Sequence, residues 1–472
     1  MLFQTIIYLL DFNCLLYGLS LALPAIMIVI FMSEDTALDR PMTTIEGSLV
    51  ASLGCIGGII STPLAGFAMD YLGRKRSAVI SAAVGVLSWA LLAFSNKVEV
   101  VLASFFIAGV AGAIFLIVPV YVSELCEDSI RGTLTSGAVV FYGLGMLLGF
   151  IFGEFMDYKT IVYVGLTSSA VGMALLAILK ESPTLLMKKG LEDEAAKAMG
   201  FYRNSKSDSK VVVQEIDKIR GSLAPESQSE VKHEEEKLTA EFAAVAPAEK
   251  LSMWQFFKKS RSTQRALALT LFLMTVCVFQ GMIVVQMYAI PLFSEAIPPE
   301  VLSPNWCSAL LSAVSVISGL IAAYLTDAAG RRPLFIYASI AAGVCCFGLG
   351  TQLHLHWGPG WITAVFIYFF CSAYAFGSGT VPFLLMAELF LPEVRSVMSM
   401  ICLEWAWSCS FTALFLFNPL VAAVGIGPVF YFFTTVCFLT AVFAFFFLPE
   451  TKGLTVDAIQ LLLVKKKGQT SG

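Results

Sequence analysis

Two short charged sequences recur at matching places in the chain. Gly66-Phe67-Ala68-Met69-Asp70-Tyr71-Leu72-Gly73-Arg74-Lys75-Arg76 returns, shortened, as Asp327-Ala328-Ala329-Gly330-Arg331-Arg332, each wedged between long apolar runs. A second pair follows each copy. Pro119, Glu124 and Arg131 answer Pro382, Glu388 and Arg395, with the acid seven positions before the base both times. Carboxylates and guanidinium groups at helix ends form short, charge-assisted hydrogen bonds when they are partly dehydrated. They are not the makings of catalysis. The three histidines, His233, His354 and His356, fall in polar loops, with no nucleophile and no metal-ligand spacing around them. No catalytic residue, no metal, no cofactor and no enzymatic activity are expected.

The elements that must position these charges are apolar. Of the 472 residues 58% are hydrophobic and 14% charged, against about 25% charged in soluble globular chains. Between Glu181 and Gln264 lie 14 of the 30 basic and 14 of the 34 acidic residues, so the rest is poorer still in charge. That remainder divides into twelve apolar stretches, at about 5–31, 46–69, 77–95, 99–123, 133–154, 160–180, 265–292, 305–326, 333–352, 361–387, 396–423 and 427–448. Each has roughly 20 residues, enough to cross a hydrocarbon core of about 30 Å. Backbone polar groups cannot stay unpaired in lipid, so the expected fold class is an all-α polytopic membrane protein. The repeated charges divide it into two pseudo-symmetric six-helix bundles, 1–180 and 265–448, joined by a loop over 181–264 and followed by a tail over 449–472. A solute site belongs between such halves, near mid-membrane.

The first apolar stretch lacks a small-residue cleavage site and is expected to stay as a helix. Within the loop, Glu192 to Arg220 has helical spacing, whereas Gly221 to Lys250 is rich in Ser, Ala, Pro and Glu and reads as a solvated linker. Arg74, Lys75, Arg76, Arg131, Arg331, Arg332, Arg395, Lys452 and Lys465 to Lys467 fall on one side of the membrane; Arg40, Lys97 and Lys159 fall on the other. Positive residues favour the inside, so both termini and the loop 181–264 are expected in the cytosol. The eleven cysteines lie mostly inside predicted helices and give no readable disulfide framework. The net charge of −4 is spread over two aqueous faces and points to no particular partner.

On the cytosolic side the expected inner gate comprises Asp70, Arg74, Lys75, Glu124, Arg131 and Glu181, with Asp327, Arg331, Arg332, Glu388, Arg395 and Glu450 as counterparts. Gly73 and Gly330 permit a tight turn with positive φ. Carboxylate–guanidinium pairs there would latch an outward-open state, and their rupture would open the inward one. The plainer alternative is that these charges anchor helix ends by the positive-inside rule.

In its motifs the chain resembles the sugar porter family of the major facilitator superfamily, and more narrowly its insect facilitated trehalose transporter branch. The matching residues are Asp70 to Arg76, Pro119-Val120-Tyr121-Val122-Ser123-Glu124 with Arg131-Gly132, and Glu181-Ser182-Pro183. They continue with Asp327 to Arg332, Pro382, Ala387-Glu388-Leu389-Phe390, Arg395 and Pro449-Glu450-Thr451-Lys452-Gly453. The insect branch is suggested by Leu38-Asp39-Arg40-Pro41-Met42-Thr43 followed by Glu46-Gly47-Ser48. The resemblance covers the whole length. It implies a facilitative, alternating-access uniporter of a small solute, a sugar such as trehalose, in the plasma membrane, acting as a monomer in contact with the lipid bilayer and with no nucleic acid.

The same resemblance locates a substrate pocket whose polar residues have been replaced. Family positions that grip sugar hydroxyls hold Val139, Cys277, Val278, Ile283, Phe383 and Ala406 here, with Trp407 kept. A hydroxyl stripped of water without a partner costs about 1–3 kcal/mol, so the pocket is expected to hold glucose poorly. Gln280, Gln286 and Glu404 remain as polar candidates, and Tyr142, Tyr288 and Tyr374 add hydroxyls. A carboxylate such as Glu404 within a span costs roughly 2.5–3.5 kcal/mol and should face a cavity or a partner. Asp11, near the start of the first helix, is expected to be solvated. Where proton-coupled relatives carry an aspartate this chain has Ser20, and Ser104 and Thr184 replace two family arginines. Two further functions stay open: a transporter of a less polar, non-sugar solute, and a non-transporting nutrient sensor, against which the 24-residue tail argues.

Overall fold

The computed structural model describes residues 2–126, 131–223, 260–297, 302–454 and 456–464. Most of the stretch read as a solvated linker lies outside them, as do the side chains of Arg131 and Asp327. Among the described residues, twelve helices are long and apolar enough to cross a membrane. In order the spans are Thr5–Met32, Thr44–Tyr71, Arg74–Phe94, Val98–Leu125, Leu134–Phe155, Tyr158–Ile178, Arg261–Met287, Pro304–Thr326, Arg331–Leu355, Trp361–Glu388, Val394–Val424 and Ile426–Phe447. Between the halves lie the shorter helices Pro183–Lys188, Glu192–Arg203 and Lys210–Leu223. The last two are joined by an Arg203–Glu215 ion pair of 2.8 Å.

Local chemistry fixes where spans begin. Thr43 and Glu46 form a reciprocal capping box at the start of span 2, and Arg40 holds the same glutamate at 2.6 Å. Ser303 precedes Pro304 at the head of span 8 and accepts the Trp306 N–H at 3.3 Å. Gly73 and Gly330 turn the chain into spans 3 and 9 with φ of 106° and 90°, as the repeated motif predicts.

Three spans are interrupted. Span 4 breaks between Ala111 and Ile114, span 7 between Phe279 and Met282, and span 10 between Phe376 and Val381. Glycines stand at each break, and Gly281 has a φ of 97°. Irregular backbone at membrane depth is tolerated where protein or a watery cavity surrounds it.

Lipid supplies no hydrophobic drive between helices, so association depends on close contact. Spans 1 and 5 meet backbone to backbone: a methyl group at Gly18 would collide with the Tyr142 carbonyl, and one at Gly145 with that of Leu15. Spans 1–6 and 7–12 each bury an apolar cluster near the charged bends, one built on Ile7, Val118 and Tyr121, the other on Leu273, Phe335 and Leu385. Towards the opposite face the clusters merge across the halves: Ile28, Ala51 and Cys55 pack with Val285 and Phe293, and Ile290 and Ala309 pack with Phe31 and Phe150.

Gly145→Leu should therefore wreck the span 1–span 5 contact, because overpacking of this kind costs about 1–3 kcal/mol or more. The readout is the monodisperse fraction after detergent extraction. Gly66→Ala, at a site with nothing within 4 Å, should leave thermal stability unchanged or slightly raised. Equal behaviour of the two variants would refute this account of the packing.

Candidate functional site

Each charged bend is built the same way. The residue that caps span 3 is Gly73, which has no side chain to meet the free N–H groups of the first turn. Glu181, more than one hundred residues away, does it instead, accepting from the N–H groups of Arg74 at 2.8 Å and of Lys75 and Ser182 at 3.0 Å. The Arg74 guanidinium bonds Glu124 at 2.8 Å and the Met69 carbonyl at 2.8 Å, and the Ser182 hydroxyl also donates to Glu124. Asp70 stands 3.7 Å from Arg74 and is largely exposed, so it adds little.

In the second half, Glu450 accepts from the N–H groups of Arg331 and Arg332 at 3.1 Å and of Thr451 and Lys452 at 3.0 Å. Arg331 bonds Glu388 at 2.9 Å and the Thr326 carbonyl at 3.2 Å, and the Thr451 hydroxyl donates to Glu388 at 2.6 Å. Burial pushes the Glu450 carboxyl up, but the four N–H donors outweigh it and hold it below the usual carboxylate range. That contribution is present at neutral pH and is lost as pH falls through the lowered value. Arg395 donates to the Phe390 carbonyl at 3.3 Å, and Arg332 to that of Phe445 at 2.6 Å.

All of these bonds lie within one half. None of them bridges the halves, and the geometry of the interface shows why. Spans 2 and 11 face each other, as do spans 5 and 8. On span 2 an added Cβ at Gly58 would lie 2.9 Å from the Trp407 ring of span 11, whereas at Gly66, two turns nearer the charged face, nothing lies within 4 Å. On the other seam Gly143 of span 5 abuts Val316 of span 8, whereas Gly319, nearer the charged face, also has open space. At the far end the halves are tied. Ser303 donates to Glu154 at 2.5 Å, Asn305 donates to the Gly153 carbonyl at 3.0 Å, and the Phe155 and Trp306 rings meet edge to face at 5.9 Å. The molecule is closed on the face away from the charged bends and parted on the charged face.

The residues at the family's sugar positions are only partly brought together. Val139 and Phe383 are exposed, whereas Ile283, Gln286, Ala406 and Trp407 are half-buried. Cys277 and Val278 do not line an open cavity in this state. Cys277 lies 3.0 Å from both the Tyr374 hydroxyl and the Ser378 carbonyl, and Val278 joins the core. Gln280 is wholly buried, with neither amide atom hydrogen-bonded. Tyr288 and Tyr374 commit their hydroxyls to the carbonyls of Leu414 and Cys277, and Tyr142 packs its ring on Phe115.

Asp11 corrects another expectation. It is buried at 1% exposure against Gly137 of span 5, and one of its oxygens has no partner. Its distance from the chain start suggested solvation, but the close span 1–span 5 packing covers it. Sequence reasoning also missed the roles of Ser182 and Thr451. Their signal was available, since each hydroxyl directly follows a glutamate of the repeat. Glu154, Ser303 and Asn305 carried no such signal.

Twelve spans in two halves that meet on one face and part on the other form the major facilitator fold of membrane transporters. The chain belongs to the sugar (and other) transporter family, whose model matches residues 13–463. The facilitated trehalose transporter Tret1 of Culex quinquefasciatus is 27% identical over 471 residues, covering 95% of this chain and 85% of that one. That of Aedes aegypti is 26% identical, covering 89% of this chain, which spans about half (51%) of the relative's length. The inward open conformation of the xylose transporter XylE from E. coli superposes with a TM-score of 0.75 at 21% identity, over 98% of this chain and 99% of that one.

If the span 5–span 8 ties hold the far face shut, Glu154→Ala with Asn305→Ala should loosen it. A neutral hydrogen bond contributes about 0.5–1.5 kcal/mol and one to a charged group about 1.5–3. A cysteine placed at Ala51, buried between the halves, should then react roughly tenfold faster with an impermeant maleimide. Unchanged labelling would show that other contacts keep this face closed.

Proposed function

We propose that the chain is a uniporter that moves a small solute, a sugar such as trehalose, down its gradient by alternating access across the plasma membrane. The observation that carries this reading is the paired seam, in which the Gly58–Trp407 and Gly143–Val316 contacts close while Gly66 and Gly319 stand open. A rocking motion of two halves about such seams exposes a central site to each side in turn. The weight of basic residues on the charged face favours placing that face, both termini and the loop 181–264 in the cytosol. On that orientation the described state is inward-open. The trehalose assignment is supported by the named relatives, and the chain is proposed to work as a monomer.

Uniport is supported by what surrounds Ser20. Its hydroxyl lines a cavity of about 40 Å³ inside the first half, together with Asn13, Tyr17, Ser81 and Ser169, and no carboxylate reaches that lining. A second reading, transport of a less polar solute, is favoured by Val139, Ile283, Phe383 and Ala406 at positions where sugar contacts are expected.

Purified protein in liposomes should equilibrate labelled trehalose without concentrating it, and an imposed pH gradient should not change the end point. Glucose should be handled with a KM a few powers of ten weaker than in a polar pocket, from several lost hydrogen bonds of about 1 kcal/mol each. Glucose uptake saturating at low millimolar concentration would reject the apolar-pocket account, and proton-driven accumulation would reject uniport. An epitope inserted within 221–250 should be reached by antibody only after cells are permeabilised.

A further inference from the structure

We infer that Glu404 is the polar anchor of the solute site, a carboxylate that accepts hydrogen bonds from donor groups on the solute. The inference rests on the transporter reading above and names the chemistry its cargo must present. Glu404 lies in span 11 one helical turn before Trp407, on the side nearer the charged face. The two therefore share a helix face. Trp407 packs against Gly58 of span 2, and at Gly66, nearer the charged face, an added Cβ would meet nothing within 4 Å. Glu404 thus stands where the halves begin to part, in the wall of the cavity. Glu404 is only half-buried, and of its two carboxylate oxygens Oε1 is the one turned inward, with no hydrogen-bond partner.

Among the described residues no ion pair gives this carboxylate a counter-charge. In the twelve described spans every lysine and arginine lies within the first five residues of its span. Arg395, on the same helix, is nine residues away, about 13 Å along the axis. The neighbouring hydroxyls are engaged: Ser408 bonds the Glu404 carbonyl at 2.9 Å and Ser410 the Ala406 carbonyl at 2.8 Å. Trp405 turns its N–H to Thr275 at 2.8 Å. Gln280 is sealed in this state, and the tyrosine hydroxyls of Tyr288 and Tyr374 are committed to carbonyls. An intramembrane carboxylate without a protein partner marks a substrate or ion path. What it lacks is a donor, and the donor that enters this cavity is the solute's. Either a sugar hydroxyl or an ammonium group has that chemistry.

The test uses the full chain in liposomes, with Glu404→Gln and Glu404→Leu beside the unaltered protein, and trehalose and phenethylamine as probes. KM is read from uptake, and binding separately from the solute-induced shift in Tm of purified protein. Glu404→Leu should raise the trehalose KM about 10- to 100-fold, the range of a hydrogen bond to a charged group. Glu404→Gln, which keeps an acceptor of the same shape, should raise it less and keeps the fold measurable. Phenethylamine that competes with trehalose and loses binding equally in both variants would assign the anchor to an ammonium group; no competition would assign it to hydroxyls. If the unaltered protein carries trehalose and both variants keep its KM, the inference fails and Glu404 is a buried strut. If the unaltered protein carries neither probe and neither shifts its Tm, the transporter reading itself fails.

Discussion

The structure depends on a cap supplied from far away in the chain. A glycine must stand at each charged bend, because the turn between two antiparallel spans needs positive φ, and a glycine cannot cap the helix that follows it. Glu181 and Glu450 resolve the conflict by placing a carboxylate on the first N–H groups of spans 3 and 9, at 2.8–3.1 Å. Anions are favoured there by the helix dipole as well as by the hydrogen bonds. The same carboxylates end spans 6 and 12, so each cap fastens the last span of a half to its third. Glu124 and Glu388 then draw in the end of the fourth span of each half through Arg74 and Arg331. Three helix ends become one joint.

That joint is what lets the halves move as bodies. Ion pairs largely buried within one half are costly to break, since removing one partner of a buried pair costs about 3–5 kcal/mol. The seams between halves are different in kind, made of glycines, small side chains and packed rings. Their far-face ties are a few hydrogen bonds, with small net contributions. A protein held firmly inside each half and loosely between halves changes state by rocking, because the seams give before the joints do.

Much of this was legible in the residues. Spans and bends follow from apolar length, glycine and charge, and the duplicated motif names the joint's members. What the motif does not name is their pairing. Glu181 reads as a gate acid, yet its Oε1 meets backbone N–H groups, which no side-chain pattern advertises. The pocket is harder still. Which face of span 7 meets the cavity depends on how the chain turns at Gly281, whose positive φ lets Phe433 pack close. Glu154, Ser303 and Asn305 are single polar residues in loops and helix ends. Their value comes from a cross-half contact that one sequence cannot display.

The losses at Ser104 and Thr184 acquire a physical meaning in this light. Ser104 is wholly buried, its hydroxyl turned to the Val101 carbonyl at 2.7 Å, and its own carbonyl accepts from Ser88 at 2.9 Å. It serves helix packing near the far-face start of span 4, twenty residues and about 30 Å along the axis from Glu124. At its charged bend the first half holds Glu124 and Glu181 with one buried arginine, Arg74, plus backbone amides and the Ser182 hydroxyl. Those donors all lie inside the half. Among the described residues, the Arg74 and Arg331 guanidinium groups are both engaged inside their own half. The far face, by contrast, is where bonds cross from one half to the other, through Ser303, Asn305 and the Phe155–Trp306 rings.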